Sequence, residues 1–137
     1  MSALFVYGTL LQGESRGGLI LAANPLRVVP ARTPGRLVDL GEYPGLIPAR
    51  RSGQWVHGEL VEFPEERAPE FESLLAQLDF VEEYFPGAEA SSLYLRRMVP
   101  VAQAGDAECW AWAYWYNRPY DPRRIVRSGN WRQVAKG

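Results

Sequence analysis

Hydrophobic and polar positions alternate along several short runs of this chain, and only one stretch carries the three-and-four spacing of an amphipathic helix. Residues 3–7, 36–39, 55–63, 93–101 and 109–116 are expected to be strands, each bounded by Gly, Pro, Asp or Asn. Within 55–63 the pattern puts Val56, Gly58, Leu60 and Glu62 on one face and His57, Glu59, Val61 and Phe63 on the other. Residues 13–21 have room for a short helix. Residues 41–48 read as a turn-rich loop, because Gly41, Pro44, Gly45 and Pro48 interrupt any regular element. The order is that of a sheet-dominated chain without repeats, low-complexity tracts or linkers.

The helical spacing predicts a helix from 69 to about 84. Phe71, Leu74, Leu75 and Leu78 share one face, within roughly 60° of a common direction at about 100° per residue. On the same wheel Glu82 returns to about 20° from Phe71, whereas Glu83 lies about 120° away and Asp79 about 80° away. Glu82 is therefore aimed at the core side, Glu83 at solvent, and Asp79 is a polar group at the helix edge. A carboxyl on a core-facing stripe loses hydration, which raises its pKa and suits it to exchange protons near neutral pH. That inference holds only if the helical path reaches Glu82.

Composition narrows the chemistry. The chain has 137 residues, expected to form one domain over 1–137, with a formal net charge of -1. Near-neutral charge gives no general attraction to nucleic acid or to an anionic membrane, and no run approaches the roughly 20 apolar residues of a membrane span. No basic segment followed by an apolar one opens the sequence, so a cytoplasmic location is the expectation. Cys109 and His57 are the single cysteine and histidine, too few for a disulfide framework or an ordinary zinc site; both read as strand residues, and no metal is expected. Fourteen of the 15 basic residues are arginine, and the one lysine, Lys136, sits beside the C-terminus, a poor position for Schiff-base catalysis. Residues 59–83 are acidic and 96–132 arginine-rich, a pattern that solvated faces and exposed ion pairs explain.

The apolar run Leu4-Phe5-Val6-Tyr7 ends at Gly8-Thr9-Leu10. A strand stopping at glycine frees backbone N–H groups and lets a ligand approach the main chain, although an ordinary tight turn has the same sequence. Its context is more specific. Val6-Tyr7-Gly8-Thr9-Leu10-Leu11-Gln12-Gly13, then Tyr43-Pro44-Gly45, Val56-His57-Gly58-Glu59-Leu60 and Leu78-Asp79-Phe80-Val81-Glu82-Glu83-Tyr84 follow in order. Tyr94-Leu95-Arg96-Arg97-Met98-Val99-Pro100-Val101, Ala111-Trp112-Ala113-Tyr114-Trp115-Tyr116 and Ser128-Gly129-Asn130-Trp131 complete the series. Together these segments resemble the γ-glutamylcyclotransferase-like family, in its γ-glutamylamine cyclotransferase or AIG2-like branch, over nearly the whole chain.

The resemblance implies an α+β fold, a compact mixed β-barrel with flanking helices and a pocket between the glycine loop and the inward glutamate. It implies Glu82 as the catalytic acid and base, with the main-chain groups of Tyr7, Gly8, Thr9 and Leu10 holding a γ-glutamyl moiety. The reaction would convert a γ-glutamyl amine or γ-glutamyl amino acid to 5-oxoproline and a free amine, without a cofactor. Amides near Gly8 would bind the substrate carboxylate or steady the oxyanion, two roles the sequence leaves open. Tyr114, Tyr116 and Tyr120 are candidates for the pocket wall, though aromatic runs in a barrel also serve as core. Small γ-glutamyl compounds are the expected partners, with no nucleic acid or membrane, and the protein a monomer or homodimer. The alternative is a non-enzymatic small-ligand-binding protein of the same fold. Two features depart from the family pattern: Glu83 stands where glycine commonly follows the catalytic glutamate, and the connection 85–93 is longer than the short turn expected before the Tyr-x-Arg strand.

Overall fold

The computed structural model describes residues 2–105 and 107–134. Lys136 lies outside them. Eight strands form one sheet: β1 (Ser2–Val6), β2 (Arg27–Pro34), β3 (Arg36–Asp39), β4 (Pro44–Ile47), β5 (Trp55–Phe63), β6 (Tyr94–Gln103), β7 (Glu108–Tyr116) and β8 (Ile125–Val126). Their order is β1-β5-β2-β6-β7-β4-β3-β8. A further parallel pairing of β1 with β7, through Leu4 and Trp112, closes the first five into a barrel. β4, β3 and β8 continue from β7 as an extension, with Leu46 opposite Trp115. The mixed barrel and flanking helix agree with the expected fold.

All five expected strands form, with ends shifted by two residues at most. Two expectations need correction. Residues 41–48 are not loop throughout, because Pro44–Ile47 pairs antiparallel with Arg36–Asp39 as β4. β2 was not expected at all; its prolines, Pro30 and Pro34, lie within a strand that pairs with β5 along its full length. Both errors have one cause: proline removes a donor, but β4 is short and β2 pairs with β6 on its other side only through Ala31 and Arg32, so the loss is tolerated.

β1 is buried on both faces. Ala3 and Phe5 of β1, and Tyr7 just after it, point into the barrel among Val56, Leu60, Val99, Ala111 and Trp131. Leu4 and Val6 point the other way, onto α2 (Ala68–Val81), where Phe71, Leu74, Leu75 and Leu78 pack with Val61 and Phe63. These are the four residues whose spacing predicts the helix, and each such side chain contributes about 1.5–3 kcal/mol on burial. The short helix expected in 13–21 is α1 (Gly17–Ala22). No helix of the described residues is long and apolar enough to cross a membrane.

α2 ends sooner than the pattern predicts. Val81 is its last residue and Glu82 its cap. Glu83 then takes a left-handed conformation, φ 54°, while the Glu83 N–H donates to the Phe80 carbonyl (3.2 Å) and the Tyr84 N–H to that of Asp79 (2.9 Å). This pair of bonds is a Schellman termination, in which the left-handed position favours glycine. Residues 85–93 form an ordered excursion with a 3-10 turn at Glu89–Ser91. Ser92 Oγ accepts from the Phe85 N–H (2.8 Å), and Asn117 Nδ2 donates to the carbonyls of Glu89 and Ser92 (3.0 Å each).

Candidate active site

The turn after β1 and the end of α2 meet at one cavity, lined by Phe5, Val6, Tyr7, Gly8, Thr9, Leu10, Tyr43, Pro44, Glu82, Tyr94 and Tyr114. It holds about 340 Å³ of empty space, its open mouth included. Glu82 and the four-residue glycine loop thus converge as the sequence leads one to expect. The wheel argument survives the early end of the helix: the Glu82 N–H still donates to the Leu78 carbonyl (2.8 Å), and its backbone stays near the helical path, φ -86° and ψ 2°.

Burial pushes the Glu82 carboxyl up to about 7, with the nearby charge of Arg16 pulling the other way. The first effect dominates because the apolar and aromatic wall replaces water around the carboxylate. Glu83 is exposed, as the wheel predicts. The connection 85–93 contributes nothing to the cavity lining among the described residues.

The glycine loop is fixed by its own hydrogen bonds and by an acid behind it. The Leu11 N–H donates to the Gly8 carbonyl (3.1 Å) and the Arg16 N–H to that of Thr9 (2.7 Å). Buried Glu59 accepts from both the backbone N–H (2.9 Å) and Nε2 (3.0 Å) of Gln12. The N–H groups of Gly8, Thr9 and Leu10 find no acceptor among the described residues. Backbone donors left open beside a cavity are available to a ligand.

Three tyrosines are part of the cavity wall, and their hydroxyls are already engaged. Tyr7 OH donates to the Tyr114 carbonyl (2.6 Å) and accepts from the Leu46 N–H (3.1 Å). Tyr94 OH donates to the Pro44 carbonyl (2.6 Å). Tyr114 OH donates to Asp79 Oδ1 (2.7 Å). Burial raises all three phenols above their ordinary range, so they are neutral donors. Asp79, read as an edge residue, also receives Arg96 Nε (2.8 Å) and a second guanidinium nitrogen (3.1 Å), and so ties the end of α2 to β6 and β7.

Tyr116 and Tyr120 stand elsewhere. Tyr116, the cross-strand partner of Tyr94, packs edge-on against it, ring centroids 5.6 Å apart, and is not among the residues that line the cavity. Tyr120 OH accepts from Arg36 (3.3 Å). Tyr43, Pro44 and Tyr94 lie in segments already quoted for the resemblance, but nothing in local pattern assigns them to a pocket; their position comes from the pairing of β4 and β6 around β7. His57 and Cys109 are strand residues of β5 and β7, outside this cavity.

Comparison with known proteins gives the arrangement its context. Residues 4–133 match the family described as gamma-glutamyl cyclotransferase, AIG2-like. The chain is 36% identical over 134 residues to a protein of Niallia circulans named gamma-L-glutamyl-butirosin B gamma-glutamyl cyclotransferase, covering 97% of this chain and 77% of that one. The crystal structure of an AIG2-like protein from Mus musculus superposes with a TM-score of 0.63 at 25% identity, over 90% of this chain and 82% of that one. YkqA from Bacillus subtilis gives a TM-score of 0.67 at 26% identity over 96% of this chain, which spans only 40% of that protein. With a family match that takes in both the glycine loop and Glu82, this chain belongs to the AIG2-like γ-glutamyl cyclotransferase family.

Proposed function

We propose that this protein is a cofactor-independent γ-glutamyl cyclotransferase that releases 5-oxoproline from a γ-glutamyl amine or γ-glutamyl amino acid, with Glu82 as acid and base. The supporting observation is that a carboxyl pushed up to about 7 shares one cavity with a loop of open backbone amides. In the reaction the substrate α-ammonium gives a proton to ionised Glu82. The free amine then attacks the γ-carbonyl, forming the ring C–N bond. Collapse of the tetrahedral adduct breaks the original amide C–N bond as protonated Glu82 gives its proton to the departing amine, and the ring nitrogen loses its second proton through the same carboxylate to the released amine. A group poised near neutral pH serves both transfers.

The amides of Gly8, Thr9 and Leu10 are the candidate donors for the negative oxygen of the adduct or for the substrate carboxylate. The narrow aromatic wall would hold the glutamyl chain folded, with amine and carbonyl close, an orientation effect that supplies much of the rate. The engaged hydroxyls of Tyr7, Tyr94 and Tyr114 make that wall rigid rather than reactive.

The test is mass-spectrometric detection of 5-oxoproline from a panel of γ-glutamyl amines and γ-glutamyl amino acids. γ-L-glutamyl-butirosin B belongs in the panel because the Niallia circulans relative is named for it. Product is expected from at least one compound, and turnover is expected to fall about 10²–10⁴-fold in Glu82→Gln. No product from any compound would leave the binding-protein alternative standing. Undiminished turnover in a folded Glu82→Gln variant would remove Glu82 from the mechanism.

A further inference from the structure

A second, larger concavity shares no residue with the Glu82 cavity. It is built from the β4–β5 connection, the starts of β3 and β5, and β8, and holds about 1470 Å³ of empty space including its mouth. Arg36, Arg50, Arg51 and Arg127 line it together with Trp55 and His57, and no Asp or Glu is among its lining residues. In a chain of net charge -1, four arginines lining one hollow without a carboxylate among the lining residues are a local excess of positive charge.

The arginines differ in what they already hold. Arg36 donates to the Pro48 carbonyl (2.9 Å) and to Tyr120 OH (3.3 Å). The guanidinium groups of Arg50, Arg51 and Arg127 make no hydrogen bond or ion pair among the described residues, whereas Arg123 and Arg124 next to the cleft are paired with Asp121 and Asp39. A further cation, Arg32, lies over the Trp55 ring at 3.9 Å.

The walls are fixed. Gln54 Oε1 accepts from the backbone N–H groups of both Arg50 (2.7 Å) and Arg51 (3.3 Å), which sets the tip of the connection. The Gly35 N–H bonds to the Gln54 carbonyl (3.0 Å), and the His57 N–H to that of Gly129 (2.8 Å). Unpaired guanidinium forks on a braced concave wall suit the oxygens of phosphate groups, which they engage bidentately. The overall negative charge disfavours a long polyanion running across the rest of the surface and favours a compact one.

We propose that this cleft binds a small anion carrying several phosphate groups, held by Arg50, Arg51 and Arg127. Isothermal titration of the whole chain with inorganic tripolyphosphate, ATP, citrate and orthophosphate tests this directly. Tripolyphosphate and ATP are expected to bind saturably, at least about tenfold more tightly than orthophosphate or citrate, and to weaken as salt is raised. The exposed position of the three arginines lets them be replaced with little effect on the fold. The triple variant Arg50→Ala, Arg51→Ala, Arg127→Ala should bind tripolyphosphate at least about tenfold more weakly, while Glu82→Gln binds it as the parent does. No saturable binding of tripolyphosphate, equal binding of citrate, or undiminished binding in a folded triple variant would overturn the assignment. Tighter binding of an RNA oligonucleotide than of tripolyphosphate would also overturn it, in favour of a nucleic-acid surface.

Discussion

The ring of Pro44 occupies the space where a side chain on residue 8 would begin: a Cβ built on Gly8 falls 2.5 Å from Pro44 Cγ and 2.7 Å from Cδ. The first residue of β4 therefore presses on the loop that follows β1, and both line the cavity. Glycine is required at position 8 by this contact. Gly8→Ala is expected to displace the loop or the proline, to cost about 1–3 kcal/mol as an overpacked site does, and to lower kcat/KM about 10²-fold through misplacement. Chemical denaturation and 5-oxoproline release measure the two effects. Parent-like stability and rate in Gly8→Ala would contradict the fit.

The raised carboxyl of Glu82 gives two pH signatures. The ionised form must be present to accept the first proton, so kcat/KM should rise with pH and level off above about 7. Removing the charge of Arg16, as in Arg16→Ala, should move this limb to higher pH, since that cation pulls the carboxyl down. Stability runs the opposite way. Because the folded state holds the proton more tightly than the unfolded chain, with its ordinary value of 4.5, stability falls as pH rises from about 4.5 to about 7 and is flat above. Glu82→Gln removes this loss and should be about 3 kcal/mol more stable than the parent at alkaline pH, with the two converging below pH 4.5. Thermal melts of parent and variant across the range read the difference.

Asp79 lies one turn before Glu82 and accepts from Arg96 and Tyr114 together. Asp79→Asn should cost about 2–4 kcal/mol, because it leaves the half-buried Arg96 guanidinium without its counter-charge. A double-mutant cycle with Arg96→Met would show coupling well above that of an exposed pair, about 1 kcal/mol. Additive losses would mean that Asp79 and Arg96 act separately.

Glu83 holds the left-handed position of the α2 termination with φ 54°, a conformation that costs a non-glycine residue about 1–2 kcal/mol. Glu83→Gly should therefore stabilise the protein by about 0.5–1 kcal/mol after the greater freedom of the unfolded chain is counted. The acid limb of the rate profile should stay in place, because the Glu83 side chain is exposed. A drop in melting temperature would contradict the strain argument.

Legibility in the sequence followed the range of the forces involved. The four apolar residues of α2 and the inward aim of Glu82 depend on helical repeat alone, and both are present. The end of α2 was misplaced by three residues, since it depends on a left-handed turn at a residue that is not glycine. β2 and β4 were hidden by prolines whose tolerance depends on which neighbour supplies the pairing, a property of the closed sheet. Tyr43 and Tyr94 reach the cavity while Tyr116, the cross-strand partner of Tyr94, and Tyr120 do not, because the place of the cavity is set by the long-range meeting of the β1 turn with the end of α2 and not by local pattern.

The hydroxyl of Tyr7 takes the Tyr114 carbonyl of β7 and the Leu46 amide of β4, between the points at which β1 and β4 pair with β7. A single phenol thus stands in for a missing peptide unit. Where two strands diverge from a third, ordinary pairing would either zip the gap shut or leave buried backbone groups bare; the phenol satisfies them across a distance no main chain spans here. The hollow beside Glu82 can be read as a tear in a β-sheet, held open at a fixed width by one side chain.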